Sequence, residues 1–235
     1  MIWLGIETSN KPLSVAIAKD GQVLAEIVQN SNMTHSVTCM PAIKEVFRKA
    51  NLQPADVDAI AVSEGPGSYT GLRIGVTIAK TLAWTLKKPL VGVSSLKVLA
   101  SNAELYNGTI CALFDARRKN VYAAAYSGMD LNTIIPEHHG SLEELLQQLK
   151  RDDGPIMFVG LDATKFKEDI QAVLGELAEF APPSLHLPRA SKLIELAEKE
   201  PIPPLEAIHS FVPQYHRLAE AEANWIKEQK KGQSR

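Results

Sequence analysis

The chain has 235 residues, and its 25 lysines and arginines stand against 27 aspartates and glutamates, which gives a formal net charge of −2. Because 45% of the residues are hydrophobic and only 22% are charged, the composition predicts a folded chain and excludes a largely disordered one. The near-neutral charge also argues against a protein that grips nucleic acid by itself, since such proteins carry a basic surface.

The cysteines and the hydropathy pattern predict a protein of the cytoplasm. Cys39 and Cys111 are too few and too far apart for a disulfide framework, and they fit thiols in a reducing compartment. The N-terminal residues lack the pattern of a signal peptide, and no apolar stretch approaches the roughly 20 residues that cross a bilayer. We therefore expect a soluble, cytoplasmic protein with no membrane partner.

The first part of the chain predicts a mixed sheet with flanking helices. Strands are expected at 2–7, 13–18 and 23–28, with a hairpin turn at Asp20-Gly21. A helix capped by Thr34 follows to about residue 50. A strand at 59–62, a helix at 70–86, a strand at 90–93 and a helix at 96–103 come next. Strands that alternate with helices after an antiparallel hairpin predict an α/β fold.

A second pass of the same pattern begins near residue 109. Strands are expected at 110–115, 121–126 and 156–159, and helices at 142–149, 164–174, 190–199 and 218–230. Positions 5–11 match positions 113–119 at a constant offset of 108, and in each case an apolar strand ends in a carboxylate. The match indicates a duplicated unit, although few residues are identical and coincidence is the alternative.

The two strand-end turns are the candidate ligand site. If they face each other across a cleft, their carboxylates and backbone N–H groups could hold the phosphates of a nucleotide. Otherwise both acids are solvated residues at a sheet edge. Bulky cations at 117–119 count against a phosphate loop, which needs close backbone approach, and they form either an anion site or a solvated turn. The candidates are Glu7, Thr8, Ser9 and Asp115.

The run 63–75 is the most informative motif. Its Gly65-Pro66-Gly67 turn joins a strand to a helix that Ser68 or Thr70 can cap, and such a helix N-terminus attracts anions. Arg73 lies in the first helical turn, where the helix dipole disfavours a cation, so it requires an anionic partner. The run is not a P-loop, because Gly-Lys-Ser/Thr is absent.

Small residues recur every four positions along the same helix. Gly71, Gly75, Ala79 and Ala83 leave a narrow face that another element can approach closely. This small-residue face packs either on the chain's own sheet or against another subunit, and the sequence leaves both open.

Metal ligands and nucleophiles are not indicated. None of the six histidines forms a helical His-x-x-x-His pair, and no Gly-x-Ser-x-Gly elbow occurs. We therefore predict no catalytic and no metal-binding residue, and a metalloprotease is disfavoured.

Four motifs together resemble the TsaB (YeaZ) family over essentially the whole chain. They are residues 4–9, residues 63–75, residues 115–118 with 121–122, and Pro213-x-Tyr215-x-Arg217 before Ala221-Glu222. The resemblance implies the fold of the acetate kinase–actin–Hsp70 superfamily, with two ribonuclease-H-like halves at 1–103 and 104–210 and a helix at about 217–230 that joins the first half. It also implies a role in placing the threonylcarbamoyl group on the tRNA adenosine 3′ of the anticodon.

The resemblance further implies that the chain is a non-catalytic partner. In that system the related TsaD is the catalytic subunit and TsaE is an ATPase. The near-neutral charge predicts that tRNA is met only through the complex. An apolar surface that needs burial predicts a homodimer when the chain is alone. The metal-binding His-x-x-x-His of TsaD falls on Ser95 and Leu99 here, and its adenosine loop is reduced to residues 159–163 around Gly160. We expect no cofactor, although weak nucleotide binding in the remnant cleft is left open.

Two functions follow for testing. In the first, the helices at 34–50 and 70–86 present an apolar, small-residue surface to TsaD. In the second, the chain is an active ATP-dependent small-molecule kinase or ATPase, with Glu7 or Asp115 as the general base that positions Mg²⁺. The predicted interface residues are Met40, Phe47, Gly71, Arg73, Gly75, Ala79 and Ala83.

Overall fold

A computed structural model describes residues 1–151 and 154–216, so Arg217 and the predicted terminal helix lie outside the described residues. The first sheet has the strand order β3-β2-β1-β4-β5, in which β1 to β3 are antiparallel and β1, β4 and β5 are parallel. Asp20 and Gly21 adopt positive φ, which confirms the predicted hairpin turn. The strands are β1 (Ile2–Glu7), β2 (Leu13–Lys19), β3 (Gln22–Gln29), β4 (Ala59–Gly65) and β5 (Leu90–Ser94).

The second sheet repeats the first. Its strand order is β10-β9-β6-β7-β8, and read from β8 it has the same order and the same strand directions. Glu7 and Asp115 each end the central strand of their sheet, which confirms the predicted duplication. The strands are β6 (Thr109–Asp115), β7 (Asn120–Ser127), β8 (Thr133–Ser141), β9 (Ile156–Val159) and β10 (Ala178–Phe180), of which β8 and β10 were not predicted.

Two pairs of helices cover the outer faces of the sheets. α1 and α2 pack on the first sheet and α4 and α5 on the second. Ser68 caps α2 as predicted, accepting the Gly71 N–H at 3.3 Å, whereas Thr34 stands before α1 without a side-chain capping bond. The helices are α1 (His35–Ala50), α2 (Tyr69–Leu86), α3 (Ser95–Ala100), α4 (Leu142–Leu149), α5 (Lys167–Leu174), α6 (Ala190–Ala197) and α7 (Ala207–Ser210).

The largest core lies between the two sheets. It contains the inner residues of both sheets together with the buried sides of α3 and α6. α6 follows the second sheet in sequence but packs on β1 and β2 of the first. Among the described residues no helix combines the length and the apolar character needed to cross a bilayer.

Strands of the first sheet cap α6. Arg189 precedes the helix without capping it, and Glu26 of β3 accepts the Ser191 N–H at 2.9 Å. Glu26 also accepts from the Arg189 guanidinium, and Ser14 Oγ accepts the Ala190 N–H at 2.9 Å. The free N–H groups of this helix end are therefore satisfied from far away in the sequence.

Candidate functional site

The Glu7 carboxyl lies at the end of β1 and is fully buried. The Ser9 N–H donates to its Oε1 at 2.6 Å, and the Ser63 hydroxyl donates to its Oε2. Burial raises the pKa of Glu7, and the hydrogen bonds from Ser63 and Ser9 only partly oppose this. Within residues 1–151 and 154–216 no cation pairs with it, so Glu7 is a buried acid held by neutral donors.

The start of α2 closes over residues 7–9. Thr8 Oγ1 donates to the Gly71 carbonyl at 2.9 Å, and the Ser68 N–H donates to the Ser9 carbonyl at 2.6 Å. A Cβ on Gly75 would lie 2.1 Å from Thr8 Oγ1, which is a steric clash, so glycine is the residue that fits at this position. Residues of α2 and of the turn before it therefore cover Glu7, whose side chain is fully buried.

The small-residue face of α2 is therefore internal. Gly71, Gly75, Ala79 and Ala83 are all buried against the chain's own sheet. This corrects the expectation that they form a surface for another protein. Phe47 is corrected for the same reason, because it is only 6% exposed and belongs to the core beneath α1.

Asp115 repeats the local geometry of Glu7 at the end of β6. Its Oδ1 accepts the Arg117 N–H at 2.7 Å, as Glu7 accepts the Ser9 N–H, and the two pairs are 108 positions apart. Unlike Glu7, Asp115 is only partly buried, and Lys165 forms an ion pair with its Oδ2. Residues 117–119 all adopt positive φ in the turn that follows.

Asp162 connects the two strand-end turns. Its Oδ2 accepts the Asp115 N–H at 3.0 Å and lies 3.4 Å from Asn10 Nδ2. Asn10 belongs to the turn after β1 and Asp115 to the end of β6. The turns after β1 and β6 are thus brought together, as the cleft hypothesis requires. The side chain of Asp162, however, lies between them.

The loop after β9 is also held internally. Gly160 has a φ of 121°, and its N–H donates to Nδ1 of the buried His186 at 3.1 Å. Burial lowers the pKa of His186, which favours the neutral ring that this acceptor role requires. The Gly160 N–H is therefore already used within the chain.

The positions to which the resemblance assigns the TsaD metal ligands belong to the core. Ser95 and Leu99 are fully buried on α3 between the sheets. In the described part of the chain, no three His, Cys, Asp or Glu side chains are grouped so that they could hold a metal ion.

The residues that complete the cleft were missed by the sequence analysis. Each of them reaches its partner from a distant part of the chain, for example Asp162 from 47 positions after Asp115. The one available signal was the position of Asp162, two residues after the glycine of the reduced loop. The missed residues are Asn10, Ser63, Asp162, Lys165 and His186.

Replacement of Glu7 by glutamine is expected to change how stability depends on pH. A raised pKa means that the fold favours the neutral carboxyl, so this stability is present at low pH and is lost as the pH rises through the folded-state pKa. The free energy of unfolding of Glu7→Gln, relative to that of the wild type, should therefore increase as the pH rises above 4.5, the ordinary pKa of a glutamate, as measured by urea unfolding. Glu176→Gln, at an exposed position, is the control. Parallel pH profiles for Glu7→Gln and the wild type would contradict the prediction.

Sequence comparisons agree with the resemblance. A family model for the tRNA N6-adenosine threonylcarbamoyltransferase TsaD matches residues 22–225. The chain is 42% identical to the tRNA threonylcarbamoyladenosine biosynthesis protein TsaB of Bacillus subtilis, over 98% of this chain and 100% of that protein. It is 30% identical to TsaB of Haemophilus influenzae over 84% of this chain and 85% of that protein. The tRNA N6-adenosine threonylcarbamoyltransferase of Thermomicrobium roseum is 34% identical over an aligned region that covers 41% of this chain and 31% of that enzyme.

Solved structures show the same fold. YeaZ from Pseudomonas aeruginosa superimposes with a TM-score of 0.73 at 23% identity, over 91% of this chain and all of that one. The activator of the 2-hydroxyisocaproyl-CoA dehydratase from Clostridium difficile, solved with bound ADPNP, gives a TM-score of 0.51 at 10% identity, over 89% of this chain and 96% of that one. These likenesses and the repeated sheets confirm the predicted fold of two ribonuclease-H-like halves.

Proposed function

The chain belongs to the TsaB family of proteins for tRNA threonylcarbamoyladenosine biosynthesis, and from this premise we propose that it is the non-catalytic subunit that binds TsaD. With TsaE, the pair would form the threonylcarbamoyl group on the tRNA adenosine 3′ of the anticodon. The observation that best supports a non-catalytic role is the complete burial of Glu7 beneath α2.

The cleft geometry supports a binding subunit over a kinase or ATPase. A general base must come within hydrogen-bond reach of the proton that it removes. Glu7 is fully buried beneath α2, and Asp115 is engaged by Lys165 and by the Arg117 N–H. Neither carboxylate is free for a substrate or for Mg²⁺, so the alternative function has no available base in this cleft.

The exposed side of α1 and α2 is the surface that we assign to TsaD. Val37 and Met40 are 58% and 48% exposed one turn apart on α1, and Tyr69 is 47% exposed at the start of α2. The Arg73 guanidinium donates to the Tyr69 hydroxyl at 2.6 Å, and Tyr215 lies against the Tyr69 ring. Apolar, tyrosine and arginine side chains of this kind dominate the binding energy of protein interfaces.

Arg73 also suggests the chemistry of the partner. Because α2 begins at Tyr69, Arg73 lies just beyond the first turn, which corrects the expectation that the helix dipole disfavours it there. Among the described residues no carboxylate pairs with its guanidinium. A carboxylate of TsaD would satisfy it in the complex. Without TsaD, a second copy of the chain covers the same apolar surface, which accounts for the expected homodimer.

Replacement of Met40 by glutamate is expected to weaken binding of TsaD by roughly thirtyfold or more, because a charge would be buried without a partner at the interface. The dissociation constant measured by calorimetry and the yield of modified tRNA with TsaD, TsaE and ATP are the two readouts. Leu105→Glu is the control, since Leu105 is exposed in the segment between α3 and β6 and belongs to neither α1 nor α2. Unchanged affinity of Met40→Glu for TsaD would contradict the assignment of the surface.

Contact with tRNA is assigned to the complex rather than to the chain alone. Because the net charge is −2, we expect no tRNA binding by the isolated chain at physiological salt. The complex works in the cytoplasm, where the other components of the modification act.

A further inference from the structure

A nucleotide does not fit the cleft of this chain in the way that the fold suggests. The Clostridium difficile activator, which shares the fold, was solved with ADPNP. In a cleft of this kind, phosphates need free backbone N–H groups at the strand ends. Here the Ser9 N–H is used by Glu7, the Arg117 N–H by Asp115, and the Asp115 N–H by Asp162.

The Asp162 carboxylate makes the contacts that a phosphate oxygen would make. It is an anionic acceptor 3.0 Å from a backbone N–H at the end of a central strand, with the Asn10 amide 3.4 Å away on the other side of the cleft. Charged acceptors of this type form the stronger hydrogen bonds to backbone N–H groups.

Basic residues lie on both segments that meet at the hydrogen bond between Asp162 and the Asp115 N–H. Lys165 pairs with the neighbouring Asp115, and Lys119 of the turn lies 3.5 Å from Asp169. Arg117 and Arg118 lie in the same turn as Lys119, directly after the end of β6. An anion site combines backbone N–H donors with nearby basic residues. Here the anion bound to the Asp115 N–H is the Asp162 side chain.

We propose that Asp162 occupies a latent phosphate site, so that the chain's own carboxylate replaces the phosphate of a ligand. The ligand class of the emptied site is a pyrophosphate or a nucleoside polyphosphate. This inference is independent of TsaD binding, which we propose for the exposed side of α1 and α2. It explains how the two turns stay connected without a bound ligand.

The experiment removes the internal anion and supplies an external one. Asp162→Ala should bind inorganic pyrophosphate roughly tenfold or more tightly than the wild type in calorimetric titrations of the full chain. Asp162→Asn should behave as the wild type, because the amide oxygen still accepts the Asp115 N–H. Asp169→Ala is the matched control, since it removes the α5 carboxylate that pairs with Lys119 of the turn but leaves Asp162 in place.

Three results would overturn the proposal. One is a folded Asp162→Ala without increased pyrophosphate affinity. Another is an equal gain in Asp169→Ala or Asp162→Asn, which would reveal a general charge effect. The third needs no variant, because rapid hydrogen exchange of the Asp115 amide in the wild type would show that its bond to Asp162 does not exist. Binding of TsaD by Asp162→Ala should be unchanged, which separates this test from that of the proposed function.

Discussion

Replacement of Gly75 by alanine should lower the free energy of unfolding of the isolated chain by about 2–3 kcal/mol. The added Cβ would lie 2.1 Å from Thr8 Oγ1. Thr8 cannot turn away without cost, because it is buried and its hydroxyl is bonded to the Gly71 carbonyl at 2.9 Å. Urea unfolding followed by circular dichroism measures the loss.

Two variants test the cause of this loss. Gly154→Ala should be nearly neutral, because a Cβ on Gly154 has no neighbour within 4 Å. In a Thr8→Ala background the cost of Gly75→Ala should shrink, since the clashing oxygen is gone and the Thr8 Cβ lies 3.4 Å away. Additive effects of the two substitutions would contradict the contact. Because a larger residue at position 75 is expected to destabilise the chain itself, loss of TsaD binding by a Gly75 variant would not identify Gly75 as an interface residue.

Replacement of Glu26 by alanine should destabilise the chain by about 3 kcal/mol. Its carboxylate accepts from the Ser191 N–H and the Arg189 guanidinium, so its removal leaves the Ser191 N–H without an acceptor and Arg189 without its anion. Thermal and urea unfolding of the full chain would measure the change.

The contribution of the helix cap can be separated from that of the charge. Glu26→Gln keeps an oxygen for the Ser191 N–H and should cost clearly less than Glu26→Ala. Arg189→Ala should cost less still, because the Arg189 side chain is half exposed. If glutamine and alanine at position 26 were equally destabilising, the ion pair rather than the cap would be the main contribution.

Strand periodicity and turn residues were sufficient to predict the central part of each sheet. The strands that end in Glu7 and Asp115 are apolar throughout and are followed by polar turns, which is a local signal. β8 lacks such a signal, because none of its residues is fully buried and Pro136 interrupts it. β10 has only three residues, and its position depends on pairing with β9.

The functional interpretation was limited by contacts between distant residues. The spacing of Gly71 and Gly75 correctly indicated a close approach, but the approaching residue is Thr8, more than 60 positions earlier. Asp162 likewise reaches Asp115 and Asn10 only in the folded chain. A sequence pattern can show that a helix face is narrow or that an N–H group needs an acceptor. Which residue packs on that face or accepts from that N–H group depends on the tertiary structure.

The interior that α3 and α6 share with both sheets has an evolutionary consequence. After a duplication, each copy would ordinarily be free to diverge on its own, provided that its own core stays filled. Here a side chain on the inner face of one sheet packs in the same layer as side chains of the other. A substitution on the inner face of one sheet must therefore be accommodated by the other sheet, and the two halves resemble each other in the path of the chain more than in the identity of their residues.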